Sequence, residues 1–224
     1  MAKQLILDFG AHNDKTFDNF VPGSNQELIA QLQVKNSKNT PAVFFSGPNG
    51  AGKSHLLSAA CAEANYAAAY IPMADAETLS TSILEGLDAL ALVCIDDIHL
   101  IAGDVEWEEA VFNLYNRSKD AQQRLYISCQ QPVAETAFRL ADLSSRLSWG
   151  LNYQINPLTD EEKIIALTQH ANARSLDIPS DVSRYLLTHY SREMPALLSL
   201  LDKLDTASLA EKRKLTIPFV KQLL

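Results

Sequence analysis

Short runs of apolar residues alternate with amphipathic segments between residues 42 and 155. The run LALVCI at 90–95 is apolar at every position, which is typical of a strand buried on both faces of a parallel sheet. The pattern predicts strands at 42–45, 67–71, 90–95, 125–129 and 151–155, and helices at 27–34, 52–65, 75–87 and 104–120. It therefore predicts a doubly wound α/β domain with a five-stranded parallel sheet, whose ligand site lies at the carboxyl ends of the strands.

The pattern changes after Asn156-Pro157, where the predicted strands stop. Thr159 and Glu162 have the spacing of a capping box, which predicts a helix from there to about residue 175. Further helices are predicted at 179–190, at 194–208 and from Pro218 onward. We expect a small all-helical domain at 158–224, after an α/β domain at 16–157. Ser24 or Asn25 is expected to cap the helix at 27–34.

The first 15 residues form a separate N-terminal segment that ends in a polar linker. Apolar side chains at Leu5, Leu7 and Phe9 suit an edge strand of the sheet. They equally suit an exposed peptide that fits a partner's groove. Periodicity alone leaves both alternatives open.

Composition limits the classes of function that the chain can serve. With 224 residues, 47% of them hydrophobic, it can form one large core and a smaller second one. A net charge of −8 argues against direct, non-specific binding to nucleic acid, which needs clustered Lys and Arg. The basic run Lys212-Arg213-Lys214 is interpreted as a solvated helix end.

No sequence feature indicates secretion or a membrane. The apolar runs are far shorter than the ~18 residues that a membrane-spanning helix needs. The three cysteines lack C-x-x-C spacing, which indicates reduced thiols, and the five histidines lack metal-ligand spacing. We expect a cytoplasmic protein with no membrane partner.

The stretch GPNGAGKS at 47–54 has the spacing G-x-x-x-x-G-K-[ST] of a P-loop, between a predicted strand and a predicted helix. Its glycines let backbone N–H groups turn toward a phosphate, and the helix N-terminus adds partial positive charge. Lys53 is expected to reach the terminal phosphates and Ser54 to ligate Mg²⁺. The residues expected to contact a nucleoside di- or triphosphate are Pro48, Asn49, Gly50, Ala51, Gly52, Lys53, Ser54 and His55.

Polar side chains follow the next strands of the predicted sheet. Asp96 and Asp97 end the buried strand, and Asp96 is expected to hold Mg²⁺ together with Ser54. Asp97 is placed to orient or deprotonate an attacking water, although it is one carbon shorter than Glu. Two acids there also suit a solvated turn. Gln130, after the following strand, is expected to hold a water or phosphate oxygen, or to have no role.

Arg146 lies in the segment DLSSRLSWG, before the fifth predicted strand. We expect it to project from the carboxyl edge of the sheet, away from its own P-loop. Such an arginine is a candidate arginine finger, which acts in the nucleotide site of a neighbouring protein. The alternatives are an ion pair with Asp142, and Arg139 as a weaker candidate for the same role.

Several motifs together resemble AAA+ ATPases of the DnaA clade. They are GPNGAGKSHLL, VCIDDIHLIAG, SSRLSWG and the helical second domain, which the resemblance implies is a lid. TFDNFVPGSN at 16–25 resembles the N-terminal box of that clade, which implies that Phe20, Val21 and Pro22 line the base pocket. QLILDF resembles the Q-L-x-L-x-F peptide that docks on the bacterial sliding clamp, which implies that Gln4, Leu5, Leu7 and Phe9 bind this partner and favours the peptide over the edge strand.

Residues 4–224 as a whole are similar to the Hda family of DnaA-homologous regulators. The resemblance implies a protein that holds ADP, or ATP, with Mg²⁺ and binds the DNA-loaded sliding clamp of DNA polymerase III. It would reach DNA only through the clamp and stimulate hydrolysis of ATP on DnaA, with Arg146 as the arginine finger. The chain ends imply that the additional domains of an initiator are absent. Homo-oligomerisation is left open.

The sequence departs from the family pattern at several positions. Pro195 stands where the family has the sensor-2 Arg, and Arg192 is a candidate substitute. Gln130 stands where relatives tend to have Asp, and Asp97 where some relatives have Asn. These departures favour diphosphate binding over efficient turnover by the chain itself. The alternative functions are an AAA+ helicase loader or adaptor, and an independent P-loop ATPase or kinase.

Overall fold

The computed structural model describes residues 15–34, 42–64 and 67–223. The expected clamp-binding residues Gln4, Leu5, Leu7 and Phe9 lie outside this range. The described chain divides into two compact units, one with residues 15–20 and 24–156 and the other with 21–23 and 157–223.

The first unit is built on a sheet in which every paired strand is parallel. Its strands are β1 (Val43–Ser46), β2 (Ala68–Pro72), β3 (Leu92–Asp96), β4 (Arg124–Cys129) and β5 (Leu151–Gln154). They lie in the order β2-β3-β4-β1-β5. The prediction of a five-stranded parallel sheet is confirmed. Because β4 inserts between β1 and β3, the carboxyl ends of these three strands are neighbours.

Helices bury both faces of this sheet: α1 (Gln26–Leu32), α2 (Lys53–Ala64), α3 (Val105–Asp120) and α4 (Ala141–Trp149). Successive side chains of a strand point to opposite faces. Phe44 accordingly belongs to one hydrophobic cluster, together with Leu114 of α3 and Leu143 of α4. Phe45 belongs to the other, together with Leu56 of α2.

The prediction of a helix at 75–87 is wrong. The structure has short 3₁₀ turns there instead, at Met73–Asp75, Thr81–Leu84 and Leu87–Ala89. The Ser80 side chain accepts a hydrogen bond from the Ser82 N–H, and such local bonds compete with a continuous helix. Gly86 then takes a φ of +72°, which an α-helix does not accommodate. The apolar residues of the segment still pack on the sheet, which explains their helix-like spacing.

The start of α1 also differs from the prediction. Asn25 occupies the N-cap position but its side chain does not cap the helix. It donates to the Asn156 carbonyl and accepts from the Asn156 N–H at 2.8 Å, across 131 residues of sequence. A side chain predicted to act locally therefore connects α1 to the chain that follows β5.

The second unit is helical, with α5 (Asp160–Ala173), α6 (Ser180–His189), α7 (Met194–Glu211) and α8 (Ile217–Leu223). The capping box is confirmed, since Thr159 and Glu162 exchange both hydrogen bonds at the start of α5. Leu167, Val182, Leu201 and Phe219 are buried in a core of this unit's own. Across the described residues, every helix falls short of the length and apolar character that crossing a bilayer requires.

Candidate nucleotide-binding site

The P-loop connects β1 to α2 through backbone conformations that favour glycine. Gly50 and Gly52 have φ values of +77° and +98°. A Cβ at Gly52 would lie 2.5 Å from Cε2 of Phe20, so this position excludes a side chain for two independent reasons. The Gly47 N–H donates to the Cys129 carbonyl, which ties the start of the loop to the end of β4.

The ammonium of Lys53 is held inside the loop. The residue is 5% exposed, and its Nζ donates to the Gly47 and Pro48 carbonyls at 3.0 and 3.2 Å. The same atom lies 3.7 Å from Oδ1 of Asp97. A buried ammonium surrounded by loop carbonyls and one carboxylate is suited to donate hydrogen bonds to the oxygens of a phosphate.

Two hydroxyls orient the carboxylate of Asp96 at the end of β3. Tyr70, on β2, donates to Oδ2 at 2.6 Å, and Ser128, on β4, donates to Oδ1. Ser128 also accepts the N–H of Asp97 at 2.8 Å. Neither the contribution of Tyr70 nor this role of Ser128 is predicted from the sequence. Both are polar side chains near the carboxyl ends of apolar strands, and that position was the available signal.

Asp97 has a left-handed backbone, with φ 54° and ψ 52°. Its Oδ1 is buried and has no hydrogen-bond partner among the described residues, although Lys53 and His99 lie 3.7 and 3.9 Å away. Burial and the neighbouring Asp96 raise the pKa of Asp97, and Lys53 and His99 partly offset this rise. A buried acceptor without a partner beside the P-loop can accept a hydrogen bond from a water molecule that arrives with a bound nucleotide and its cation.

The oxygen-bearing side chains at the end of β3 and the start of α2 suit a Mg²⁺ ion that is bound together with a nucleotide. The Tyr70 hydroxyl interacts with Ser54 as well as with Asp96, so both predicted metal ligands adjoin one side chain. Burial and Asp96 raise the pKa of Tyr70, which keeps it protonated as a donor. Within the described ranges no three His, Cys, Asp or Glu side chains form a metal site on their own. Mg²⁺ with one or two protein ligands takes the rest of its shell from phosphate and water.

The segment before α1 brings Phe20 to the P-loop. Thr16 and Asn19 exchange hydrogen bonds that close a turn, and the Thr16 carbonyl lies 2.8 Å from Nε2 of His55. Phe20 packs edge-on against the His55 ring, with centroids 5.2 Å apart. Val21 is buried and Pro22 exposed, and both belong to the second compact unit.

The remaining predicted contacts lie at the surface of the loop and of β4. Pro48, Asn49 and Gly50 are exposed at the tip of the loop, where the Ala51 N–H donates to the Pro48 carbonyl. Gln130 is also exposed, and its N–H donates to Nδ1 of His99 at 3.3 Å. The structure thus anchors the Gln130 backbone at the strand end and leaves its side chain at the surface.

Arg146 lies on the last turn of α4. Its guanidinium stacks 4.9 Å above the ring of Trp149, which is 68% exposed. Burial raises the pKa of Tyr115, and the positive charge of Arg146 partly offsets this rise. The ion pairs of the described chain do not include Arg146, so the alternative pair with Asp142 is not formed.

The predicted location of Arg146 at the carboxyl edge of the sheet is wrong. The Leu151 N–H donates to the Ala42 carbonyl, and a Cβ at Gly150 would overlap that same carbonyl. Ala42 precedes β1, whereas the P-loop follows the other end of that strand. A helix that connects parallel strands must run back along the sheet, so α4 ends at the amino edge. Arg146 therefore lies toward the edge opposite its own P-loop.

In the second unit, Pro195 occupies the first turn of α7. Arg192 lies just before that helix and is largely exposed, with Nη2 3.7 Å from Oδ2 of Asp160. Exposed pairs of this kind contribute little to stability. The arginine can therefore leave this pair at small cost.

Comparison with known proteins identifies the relatives of both parts of the chain. Residues 11–154 match the family model of the bacterial DnaA ATPase domain, and residues 160–224 match that of the Hda lid domain. Domain III of the Thermotoga maritima replication initiation protein DnaA has a TM-score of 0.82 at 21% identity, covering 95% of this chain and 96% of that one.

Two further structures give the same result at lower similarity. AMPPCP-bound DnaA from Aquifex aeolicus has a TM-score of 0.69 at 20% identity, covering 89% of this chain and 68% of that one. The Thermotoga maritima RuvB Holliday junction branch migration motor has a TM-score of 0.70 at 15% identity, covering 93% and 70%. At these identities the likenesses show the fold, which is that of an AAA+ protein with a helical lid.

Proposed function

We propose that this chain, which belongs to the bacterial DnaA ATPase family and carries a Hda-type lid, regulates replication initiation by stimulating hydrolysis of DnaA-bound ATP. In this proposal the chain holds ADP with Mg²⁺ and supplies an arginine to the nucleotide site of a DnaA neighbour. The family relationship supports a role in initiation. The geometry of the first unit supports a protein that binds nucleotide at its own P-loop and presents an arginine to the nucleotide site of another protein.

The observation that carries the proposal is the location of Arg146. The residue lies toward the edge of the sheet opposite its own P-loop, and no carboxylate of the described chain neutralises it. A guanidinium so placed is suited to a phosphate that another protein presents. Arginine fingers act in this way, by stabilising the charge that develops on the transferred phosphoryl group.

The chain's own site supports nucleotide binding more strongly than turnover. Lys53 and the P-loop backbone would hold the phosphates, Ser54 and Asp96 the Mg²⁺, and Phe20 would lie beside the base. Bound Mg²⁺ neutralises phosphate charge. The candidate water-positioning group, Asp97, is a short side chain whose raised pKa reflects an unfavourable site for its charge. Pro195 offers no charge where a phosphate-contacting arginine is expected.

The proposal includes recruitment by the sliding clamp through QLILDF at 4–9. The order of side chains matches the clamp-docking peptide, with Gln4 first and Phe9 last. The net charge of −8 is consistent with this route, since the clamp and not the chain would supply contact with DNA. A clamp pull-down tests it: Gln4→Ala combined with Phe9→Ala should abolish binding, and unchanged binding would exclude this peptide as the clamp ligand.

The activity is tested with ATP-loaded DnaA, DNA-loaded clamp and this protein in its ADP form. Wild type should accelerate hydrolysis, and Arg146→Ala should not, while both still bind the clamp. Arg139→Ala is the matched control, because Arg139 is the other candidate for the arginine finger. The substitution removes its guanidinium and keeps its backbone contacts, so it should leave the stimulation unchanged. Hydrolysis that proceeds without DnaA and disappears in Lys53→Ala would instead identify an independent ATPase.

A further inference from the structure

Glu108 is a buried carboxylate that has no role in the proposed nucleotide site. It lies on α3, is 0% exposed, and its two oxygens accept three backbone N–H groups. Oε1 accepts from Gly103 at 2.6 Å and from Arg139 at 3.1 Å, and Oε2 accepts from Leu140 at 2.7 Å. Burying a carboxyl group is costly unless hydrogen bonds satisfy its oxygens, and here three main-chain donors do so.

The three donors belong to two segments that change direction beside α3. Gly103, with φ +93°, precedes Asp104, the N-cap residue of α3. Arg139 and Leu140 are the last two residues before α4, whose N-cap position at Leu140 has no side-chain cap. Glu108 therefore provides, from a neighbouring helix, the acceptor that fixes the chain where it enters α4.

The entry to α4 controls the placement of Arg146. The helix is nine residues long, and Arg146 lies six residues after Leu140, about 9 Å along the axis. A change of direction at the start of a helix this short is carried rigidly to its last turn. The same helix α3 also packs along α4 as far as its last turn, since Leu114 and Leu147 belong to one hydrophobic cluster.

We propose that Glu108 is a positioning residue for Arg146. It holds the N–H groups of Arg139 and Leu140 so that α4 presents the guanidinium in the orientation that a neighbouring nucleotide site requires. This inference rests on the proposed function for its effect on ATP hydrolysis. Its structural part, the fixing of α4 by Glu108, can be measured independently.

The test substitutes Glu108→Gln, which keeps the shape and replaces one acceptor oxygen by an NH₂ group. The matched control is Glu109→Gln, an exposed neighbour on the same helix. Maximal stimulation of DnaA should fall by about 10-fold or more with Glu108→Gln, because a misplacement of about 1 Å of a group that acts in the transition state can cost on the order of 100-fold in rate. The half-saturating concentration and the stoichiometry of ADP binding should stay unchanged. Glu109→Gln should behave as wild type in each respect.

Hydrogen–deuterium exchange separates this inference from the proposed function. Amides of residues 139–149 should exchange faster in Glu108→Gln than in wild type or Glu109→Gln. If wild type fails to stimulate DnaA, the proposed function is wrong, and the exchange data alone decide whether Glu108 fixes α4. Unchanged exchange, or faster exchange with full stimulation, overturns the inference.

A second variant tests the inference independently if Glu108→Gln does not fold. Leu140→Pro removes one of the same hydrogen bonds from the donor side and leaves the carboxylate in place. Leu140 has a φ of −81°, close to the range of proline. The inference predicts faster exchange in 141–149 and reduced maximal stimulation. Normal values of both quantities in a folded Leu140→Pro protein would contradict it.

Discussion

Ser128 is the side chain whose removal tests most sharply how the strand-end acids are held. It is fully buried on β4, donates to Oδ1 of Asp96 and accepts the N–H of Asp97. Ser128→Ala removes a single oxygen atom and changes the packed volume little. Any large effect must therefore come from the two hydrogen bonds.

The expected loss can be worked out from these two contacts. A hydrogen bond to a charged group contributes about 1.5–3 kcal/mol, and a buried N–H left without a partner costs about 1–3 kcal/mol. Together they predict a destabilisation of about 2.5–6 kcal/mol, a large part of the ~5–15 kcal/mol that stabilises a typical domain. At ~2–4 °C per kcal/mol, the melting temperature should fall by about 5–24 °C.

Thermal unfolding followed by circular dichroism measures this shift. Ser183→Ala is the control, because Ser183 is also fully buried but its hydroxyl has no hydrogen-bond partner within the described residues. Its removal should leave stability unchanged or slightly raised, since an unsatisfied polar atom is lost. A melting temperature of Ser128→Ala within about 2 °C of wild type, or an equal loss in Ser183→Ala, would refute the reasoning.

Three other substitutions test neighbouring parts of the site. Tyr70→Phe removes the second donor to Asp96 and should cost about 1.5–3 kcal/mol in urea unfolding. Gly52→Ala, at φ +98° and against Phe20, should weaken ADP binding by about 10-fold or more in calorimetry, and wild-type affinity would contradict the geometry. Asp97→Asn, measured without Mg²⁺ and nucleotide, should be more stable than wild type near neutral pH. Because the folded pKa of Asp97 is raised, wild type loses stability as pH rises through it, so the difference between the two proteins should vanish below about pH 4.

The sheet and its ligand edge could be predicted from the sequence because their signals are local. The uninterrupted apolar run that ends at Asp96 reports burial on both faces, and the P-loop spacing reports the turn after β1. The helix at 75–87 was mispredicted for a related reason. The spacing of its apolar residues reflects packing against the sheet, whereas Ser80 and Gly86 determine the backbone conformation.

The partners that orient the site could not be predicted because they depend on strand order. Ser128 reaches Asp96 only because β4 lies beside β3, and Tyr70 reaches it only because β2 lies on the other side. In the sequence, Glu108 is indistinguishable from the other charged residues of an amphipathic helix, although it is completely buried in the structure. The sequence does not reveal that two distant turns fold over it.

The most direct test of the central claim is single-turnover hydrolysis of labelled ATP bound to DnaA, with DNA-loaded clamp and saturating ADP-bound protein. Arginine fingers contribute on the order of 10³-fold or more to such rates. We expect wild type to accelerate hydrolysis, and Arg146→Ala to lose on the order of 10³-fold of that rate while it still binds the clamp. Hydrolysis that is equally fast with Arg146→Ala, or that wild type does not accelerate, would contradict the account.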